Sequence, residues 1–152
     1  MRVEQRLKDM GVRLPMPSKP VANFESLVVS GSLVFVSGQG PLENGKPLYQ
    51  GVVGREVSEA EAYDAARVCA INALGALQAA LGDLDKISRV VKLLGFVASA
   101  PQFYRQPFVI NGASDFMVDV FGDRGRHARS AIGTSILPFN IPVEIEFIFE
   151  LA

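Results

Sequence analysis

The residues best equipped for chemistry stand in one stretch, His127 to Glu150, reading HARSAIGTSILPFNIPVEIEFIFE. Arg129 sits among small residues, and Glu144, Glu146 and Glu150 follow beyond a proline-bracketed turn. A guanidinium offers parallel N–H groups to a carboxylate, and a glutamate beside the same ligand can take up and return a proton. The pattern fits an anion pocket with a proton-handling carboxylate, and it equally fits the solvated polar side of a sheet. Ser37-Gly38-Gln39-Gly40-Pro41 offers a hydroxyl and glycines that let backbone amides approach a ligand, or else a strand ends there in a tight turn. Asn111 falls beside the apolar stripe of a helix, where an asparagine is ordinarily a surface or cap residue. Lys92 interrupts an apolar run and reads as a side chain snorkelling from a sheet edge. Cys69 is the single cysteine, which excludes an intrachain disulfide and a multi-cysteine metal site and reads as a packed helix residue.

The elements that must position these residues follow from periodicity. Val143, Ile145, Phe147, Phe149 and Leu151 alternate with Glu144, Glu146 and Glu150, as in a half-buried strand. In the strand before it, His127, Arg129, Ala131, Gly133 and Ser135 share a side opposite Ala128, Ile132 and Ile136. Ser58 with Glu61 makes a capping box that starts a helix running to Leu81, with Gly82 as its stop. Ala62, Ala66, Cys69, Ala73, Leu77 and Ala80 lie along its apolar side, small enough to let it sit close to a sheet. Arg89 to Ala98 predicts a strand buried on both faces, and a second helix begins near Gln106, tolerates Pro107 in its first turn and ends at Gly122. Phe24 to Ser30 and Leu33 to Ser37 predict a hairpin turned at Gly31-Ser32. Residues 42–57 read as a long loop with a short strand around Gly51 to Val53. Val3 to Met10 predicts a short helix acting as a peripheral flap, and the prolines of residues 14–20 predict an extended connector.

The chain therefore divides into an N-terminal extension, residues 1–20, and one domain, residues 21–152. The order β-β-α-β-α-β-β predicts an α+β fold with two helices on one face of a mixed sheet. The other face is expected to carry the odd residues of 127–135 together with the even residues of 144–150, and to need a cover or a function.

With 152 residues the chain suits one domain with one core, and 49% hydrophobic with 20% charged residues is the balance of an ordered globular protein. A net charge of -1 lacks the basic stripe that neutralises phosphates, so nucleic acid is not expected as a partner. The longest apolar run, Val90 to Ala98, falls short of the roughly 20 residues that span a bilayer, so no membrane association is expected. The charged stretch MRVEQRLKDMG lacks a signal-peptide pattern, which predicts a cytoplasmic protein.

Taken together, Ser37-Gly38-Gln39-Gly40-Pro41, the helix with Asn111, Ala128-Arg129-Ser130, Leu137-Pro138 and Val143-Glu144-Ile145-Glu146 resemble the Rid/YjgF family of 2-iminoacid and enamine deaminases, formerly labelled endoribonucleases. The resemblance runs from about Val21 to Leu151. It implies a chorismate-mutase-like fold, a homotrimer around a barrel-like core with ligand clefts between subunits, and no metal or organic cofactor. It also implies a substrate-binding role for Ser37, Gly38, Asn111 and Phe24, with Arg129 holding the substrate carboxylate. Glu144 would position the water that attacks the imine carbon and pass a proton to the leaving nitrogen. Phe24 stands where the family often has tyrosine and Ala131 where it frequently has cysteine, so a hydroxyl and a thiol are missing. The first twenty residues and the 42–57 connection lie outside the compact pattern, as in a longer subgroup. The expected function is hydrolysis of reactive 2-imino or enamine acids to 2-keto acids and ammonia. The alternative is a non-catalytic trimer of the same fold that binds small carboxylates or acts like a chaperone. Ribonuclease action with His127 as base ranks third, since His127 reads equally as a structural neighbour of Arg129. From Arg129 to Leu137 is eight residues, about 26 Å of extended strand. That places Arg129 and Glu144 at opposite ends of one subunit's sheet and predicts three sites at subunit interfaces.

Overall fold

The structure is a computed structural model that describes residues 2–17 and 23–152. The expected boundary between residues 20 and 21, and the end of the connector at residues 18–20, lie outside the described residues. The elements that position the site are α1 (Arg2–Asp9), β1 (Leu27–Ser30), β2 (Leu33–Gln39), β3 (Leu42–Glu43), β4 (Lys46–Pro47), α2 (Glu59–Leu81), β5 (Ile87–Ala98), α3 (Gln106–Phe121), β6 (Ala128–Thr134) and β7 (Val143–Leu151).

Strands β1 and β2 form the expected hairpin: Ser30 pairs with Leu33, and Gly31 takes a φ of +61° at the first turn position. The stretch read as a loop contains a second, small hairpin, β3 with β4, turned at Asn44 and Gly45 with φ of +53° and +78°. Asn-Gly is the dipeptide that best tolerates two consecutive left-handed residues, so the signal was present in the sequence. Val53 bridges Ser99 and Val57 rather than forming a strand around residue 51.

The sheet order is β1-β2-β7-β5-β6, antiparallel except for the β5–β6 pair. The proline-bracketed turn therefore does not close a hairpin between β6 and β7, because β5 lies between them. The longest strand of the sheet, β5, buries Leu93, Gly95 and Val97 on its helix side while its other side keeps Leu94 and Phe96 half-buried. An internal position gives this apolar strand a hydrogen-bonding partner along each edge. Lys92 thus projects from an internal strand and is exposed, in place of the edge position expected for it.

On the helix side, Val143, Ile145, Phe147 and Phe149 of β7 are buried in one core with Ala62, Ala66, Cys69, Ala73 and Leu77 of α2 and Ile110, Ala113 and Met117 of α3. The capping box at Ser58 and Glu61 is formed in both directions. Ala80, expected on the apolar side of α2, is exposed.

The N-terminal helix is a third member of the helical layer and not a peripheral flap. Val3 and Leu7 are buried in the common core, each contributing about 1.5–3 kcal/mol by burial. The main-chain N–H groups of Arg2 and Val3 donate to the Asp85 carboxylate at 2.9 and 3.0 Å, and Arg6 Nε donates to the Asp119 carbonyl at 2.8 Å. Beyond α1 the chain crosses α2 where a Cβ on Gly75 would stand 2.5 Å from the Pro15 carbonyl oxygen.

Side chains of paired residues point to the same side of a sheet. Arg129 pairs with Leu93, Ala131 with Gly95 and Gly133 with Val97, so the odd residues of β6 face the helices. Glu144 pairs with Phe96 and Glu146 with Leu94, so both glutamates lie on the open side with Ile132. The expectation that Arg129 and Glu144 share a sheet face is therefore wrong. The parallel β5–β6 register decided this, and alternation within either strand does not reveal it.

Candidate functional site

Residue Arg129 stands near the start of edge strand β6 and reaches back along α3. Its Nη1 donates to Asn111 Oδ1 at 2.8 Å and to Ser114 Oγ at 3.0 Å, and its Nη2 donates to the Pro107 carbonyl at 3.1 Å. Asn111 and Ser114 are three residues apart on α3, which puts both on the same side of the helix. Pro107 cannot donate, but its carbonyl accepts from Arg129. These three bonds engage three of the guanidinium's five N–H groups and leave two, the Nε–H and one Nη2–H. Among the described residues, no carboxylate lies within ion-pair distance of Arg129. A fixed cation held only by neutral acceptors, with two N–H groups left over, has the chemistry to receive a carboxylate.

Near the start of β7, Glu144 is half-buried. Strand β2 bulges beside it: Val36 pairs with Phe147 and Gln39 with Ile145, so Ser37 and Gly38 together oppose one residue of β7. The bulge lets the Glu144 carboxylate lie over the Gly38 backbone, where a Cβ would stand 2.7 Å from Glu144 Oε2. The loop beyond is pinned by Asn72 Nδ2 of α2, which donates to the Gly40 and Leu42 carbonyls at 3.0 Å each. Burial, with Glu146 adding its charge, raises the carboxyl pKa of Glu144 above the usual glutamate value. Ser37 Oγ donates to the Glu25 carbonyl at 2.6 Å, so its proton anchors the segment before β1. Phe24, next to Glu25 in the chain, is 51% exposed at this end of the sheet.

The expected site residues therefore form two groups. Arg129 and Asn111 meet at the α3–β6 edge, and Phe24, Ser37, Gly38 and Glu144 gather at the β2–β7 bulge. Within one subunit the groups lie on opposite faces, with β5 between their strands. Along the strand direction Arg129 and Glu144 are only three rows apart, since Glu144 aligns through Phe96 with Ile132; that is about 10 Å. The expected 26 Å is wrong, because β6 ends at Thr134 and the turn carries the chain across β5.

Ser114 and the Pro107 carbonyl were missed by sequence reasoning. The spacing of Asn111 and Ser114 was a usable signal, whereas a backbone carbonyl leaves none. His127 is indeed a neighbour of Arg129, with Nδ1 2.6 Å from the Gly125 carbonyl and Nε2 2.9 Å from Ser114 Oγ. Both ring nitrogens are engaged, which disfavours a free general base. Cys69 is fully buried beneath β7, with Sγ 3.8 Å from the Val143 carbonyl. An open cleft of about 530 Å³ lined by Val52, Phe103, Gln106, Gly133 and Thr134 lies farther along β6 and includes neither Arg129 nor Glu144. Among the described residues no helix is long and apolar enough to cross a membrane.

The family described as "YjgF/chorismate mutase-like, putative endoribonuclease" matches residues 4–151, a span that takes in all but the first two residues of α1. The chain is 44% identical over 151 residues to Protein TCP17 of Trypanosoma cruzi, covering 99% of this chain and 94% of that one. It is similar to a crystal structure of a protein of unknown function from Agrobacterium tumefaciens, with 51% identity, a TM-score of 0.92 and coverage of 99% and 92%. A crystal structure from Shewanella oneidensis, described as a putative endoribonuclease, superposes with a TM-score of 0.96 at 32% identity, covering 99% of this chain and all of that one.

Proposed function

The chain belongs to the YjgF/chorismate-mutase-like family, and on that premise we propose that it hydrolyses small 2-imino or enamine acids to 2-keto acids and ammonia. The observation that carries the reading is Arg129, fixed by Asn111, Ser114 and the Pro107 carbonyl, with its Nε–H and one Nη2–H left over and no carboxylate partner among the described residues. In this reading those two N–H groups hold the substrate carboxylate. Glu144, ionised, takes a proton from water as the water oxygen bonds to C2 of the imine. That proton passes to the nitrogen to give a carbinolamine, and Glu144 then takes the hydroxyl proton and delivers it to the same nitrogen as the C–O bond becomes a carbonyl and the C–N bond breaks, so ammonia and the keto acid leave. A carboxyl raised by burial is a stronger base than an exposed one, which suits both proton transfers.

The two groups face opposite sides of one subunit's sheet, so a shared substrate requires the Arg129 group of one subunit to meet the Glu144 group of another. A homotrimer with three such clefts satisfies this. The open sheet face supports it, since Val28, Phe35 and Ile132 are exposed there in a single chain and an assembly would cover them. A binder of small carboxylates without turnover is the second reading, favoured by Phe24 and Ala131, which bring neither a hydroxyl nor a thiol.

An amino-acid oxidase that generates the iminoacid in place, with keto-acid release timed with and without the protein, separates the two readings. Acceleration supports hydrolysis, and binding of pyruvate without acceleration across several amino acids supports the binder. Mixing Arg129→Ala with Glu144→Gln subunits tests the shared cleft. Activity recovers when a mixed interface regains both groups, and stays absent despite proven subunit exchange if one chain supplies both.

A further inference from the structure

We propose that His127 and Ser114 are positioning residues for Arg129: the imidazole sets the direction of the Ser114 hydroxyl, and the hydroxyl oxygen holds the guanidinium so that its two remaining N–H groups stay presented. The inference rests on Arg129 being the carboxylate anchor. The sequence of constraints starts at a backbone oxygen. His127 Nδ1 lies 2.6 Å from the Gly125 carbonyl. A carbonyl has lone pairs and no proton, so Nδ1 carries the hydrogen, and in the neutral ring Nε2 is left as an acceptor. Nε2 lies 2.9 Å from Ser114 Oγ, so the single proton of that hydroxyl goes to the ring. The oxygen's lone pairs are then free for Arg129 Nη1 at 3.0 Å.

The imidazole also competes with an intrahelical alternative. A serine inside a helix tends to turn its O–H back onto the carbonyl one turn earlier, and Nε2 takes that proton instead. Each end of the relay is held in place. Gly125 is packed so closely on α3 that a Cβ there would collide with the Met117 carbonyl, which fixes the first acceptor. Asn111 Oδ1 takes the other Nη1 proton, so that nitrogen has no freedom left for a ligand or for rotation. Burial lowers the imidazole pKa, Arg129 adds to that, and the Gly125 bond only partly opposes it, which keeps the ring in the neutral form the relay needs.

Two replacements at residue 127 separate this role from that of holding the Gly125 turn. Glutamine can place an amide oxygen where Nε2 stands and accept from Ser114, whereas asparagine places its amide near Nδ1 and keeps only the bond to Gly125. The readouts on full-length protein are rotation of the Arg129 guanidinium in the ligand-free state by ¹⁵N NMR, pyruvate binding by calorimetry, and thermal unfolding. His127→Asn and Ser114→Ala are expected to speed guanidinium rotation and to weaken pyruvate binding by about tenfold, with His127→Gln within about twofold of the original protein. Where turnover is measurable, the loss should fall on KM and not on kcat. If His127→Asn and His127→Gln behave alike, or if Ser114→Ala folds and leaves both rotation and binding unchanged, His127 serves only the turn and the proposal is overturned. If rotation responds as expected while the unaltered protein binds no 2-keto acid, the relay stands and the carboxylate reading of Arg129 fails.

Discussion

A methyl group at residue 38 separates the position of the Glu144 carboxylate from its presence. Built on Gly38, a Cβ would stand 2.7 Å from Glu144 Oε2, 3.0 Å from Cδ and 3.1 Å from Cγ. Ordinary contact needs about 3.5 Å, so in Gly38→Ala the carboxylate must retreat by roughly 0.7–1 Å. Two facts make the retreat cheap for the fold. The colliding atoms belong to a flexible, half-buried side chain, and Gly38 is not among the glycines with positive φ, so alanine fits its backbone. Stability should therefore change by less than about 1 kcal/mol in either direction. Chemistry is less tolerant, since a misplacement of about 1 Å costs on the order of 100-fold, or about 2.7 kcal/mol on the barrier. The assay is keto-acid release from an iminoacid generated in place, with pyruvate binding and thermal unfolding measured on the same preparation. The expected result is kcat lower by about 30- to 100-fold, pyruvate affinity within about threefold, and a midpoint within about 3 °C. A folded Gly38→Ala protein that turns over within twofold of the original would refute the reasoning that carboxylate placement matters here. A fall of more than about 8 °C would refute the claim that Glu144 can yield.

Three further outcomes follow from the same geometry. Arg129→Lys should weaken pyruvate binding nearly as much as Arg129→Ala, about 10- to 100-fold by calorimetry, because an ammonium cannot reproduce the planar fork; a lysine variant close to the original would show that charge alone suffices. Glu146→Gln should move the acid limb of the kcat/KM profile to lower pH, because the Glu146 charge adds to the burial that raises the Glu144 pKa and its removal makes Glu144 easier to ionise; an unmoved limb would assign that titration elsewhere. Asp85 is held below the usual carboxylate range by the Val3 N–H bond first, with burial opposing and the Arg2 N–H assisting. Its contribution is therefore present above its unfolded pKa of about 3.9 and lost as pH falls through the lower folded value, so α1 should loosen selectively below about pH 4. Asp85→Ala should weaken α1 at neutral pH by about 1 kcal/mol, read as faster hydrogen exchange confined to the α1 amides.

Local chemistry made much of this protein legible in its sequence. Helix α2 could be read almost to the residue because a capping box and a glycine stop act over three or four positions. The burial of β7 followed from strict alternation for a similarly local reason, and Asn44-Gly45 marked a hairpin that could have been read the same way. Of the candidate site, Arg129 stands out by residue type, and Asn111, Gly38 and Glu144 are singled out by the family resemblance. The Pro107 carbonyl, and the pairing of Ser114 with both His127 and Arg129, could not be read in this way, because these partners are brought together across 13 to 22 residues of chain. Alternation tells which residues of one strand share a side, but not which strand lies beside it or which side turns to the helices. Those choices belong to long-range burial. Strand β5 sits between β6 and β7, its parallel register with β6 turns Arg129 toward α3, and its antiparallel register with β7 turns Glu144 to the open face. Val3 and Leu7 likewise show only an amphipathic pattern by themselves, and α1 joins the core because its partners, α3 and the turn holding Asp85, are brought to it by the folded chain.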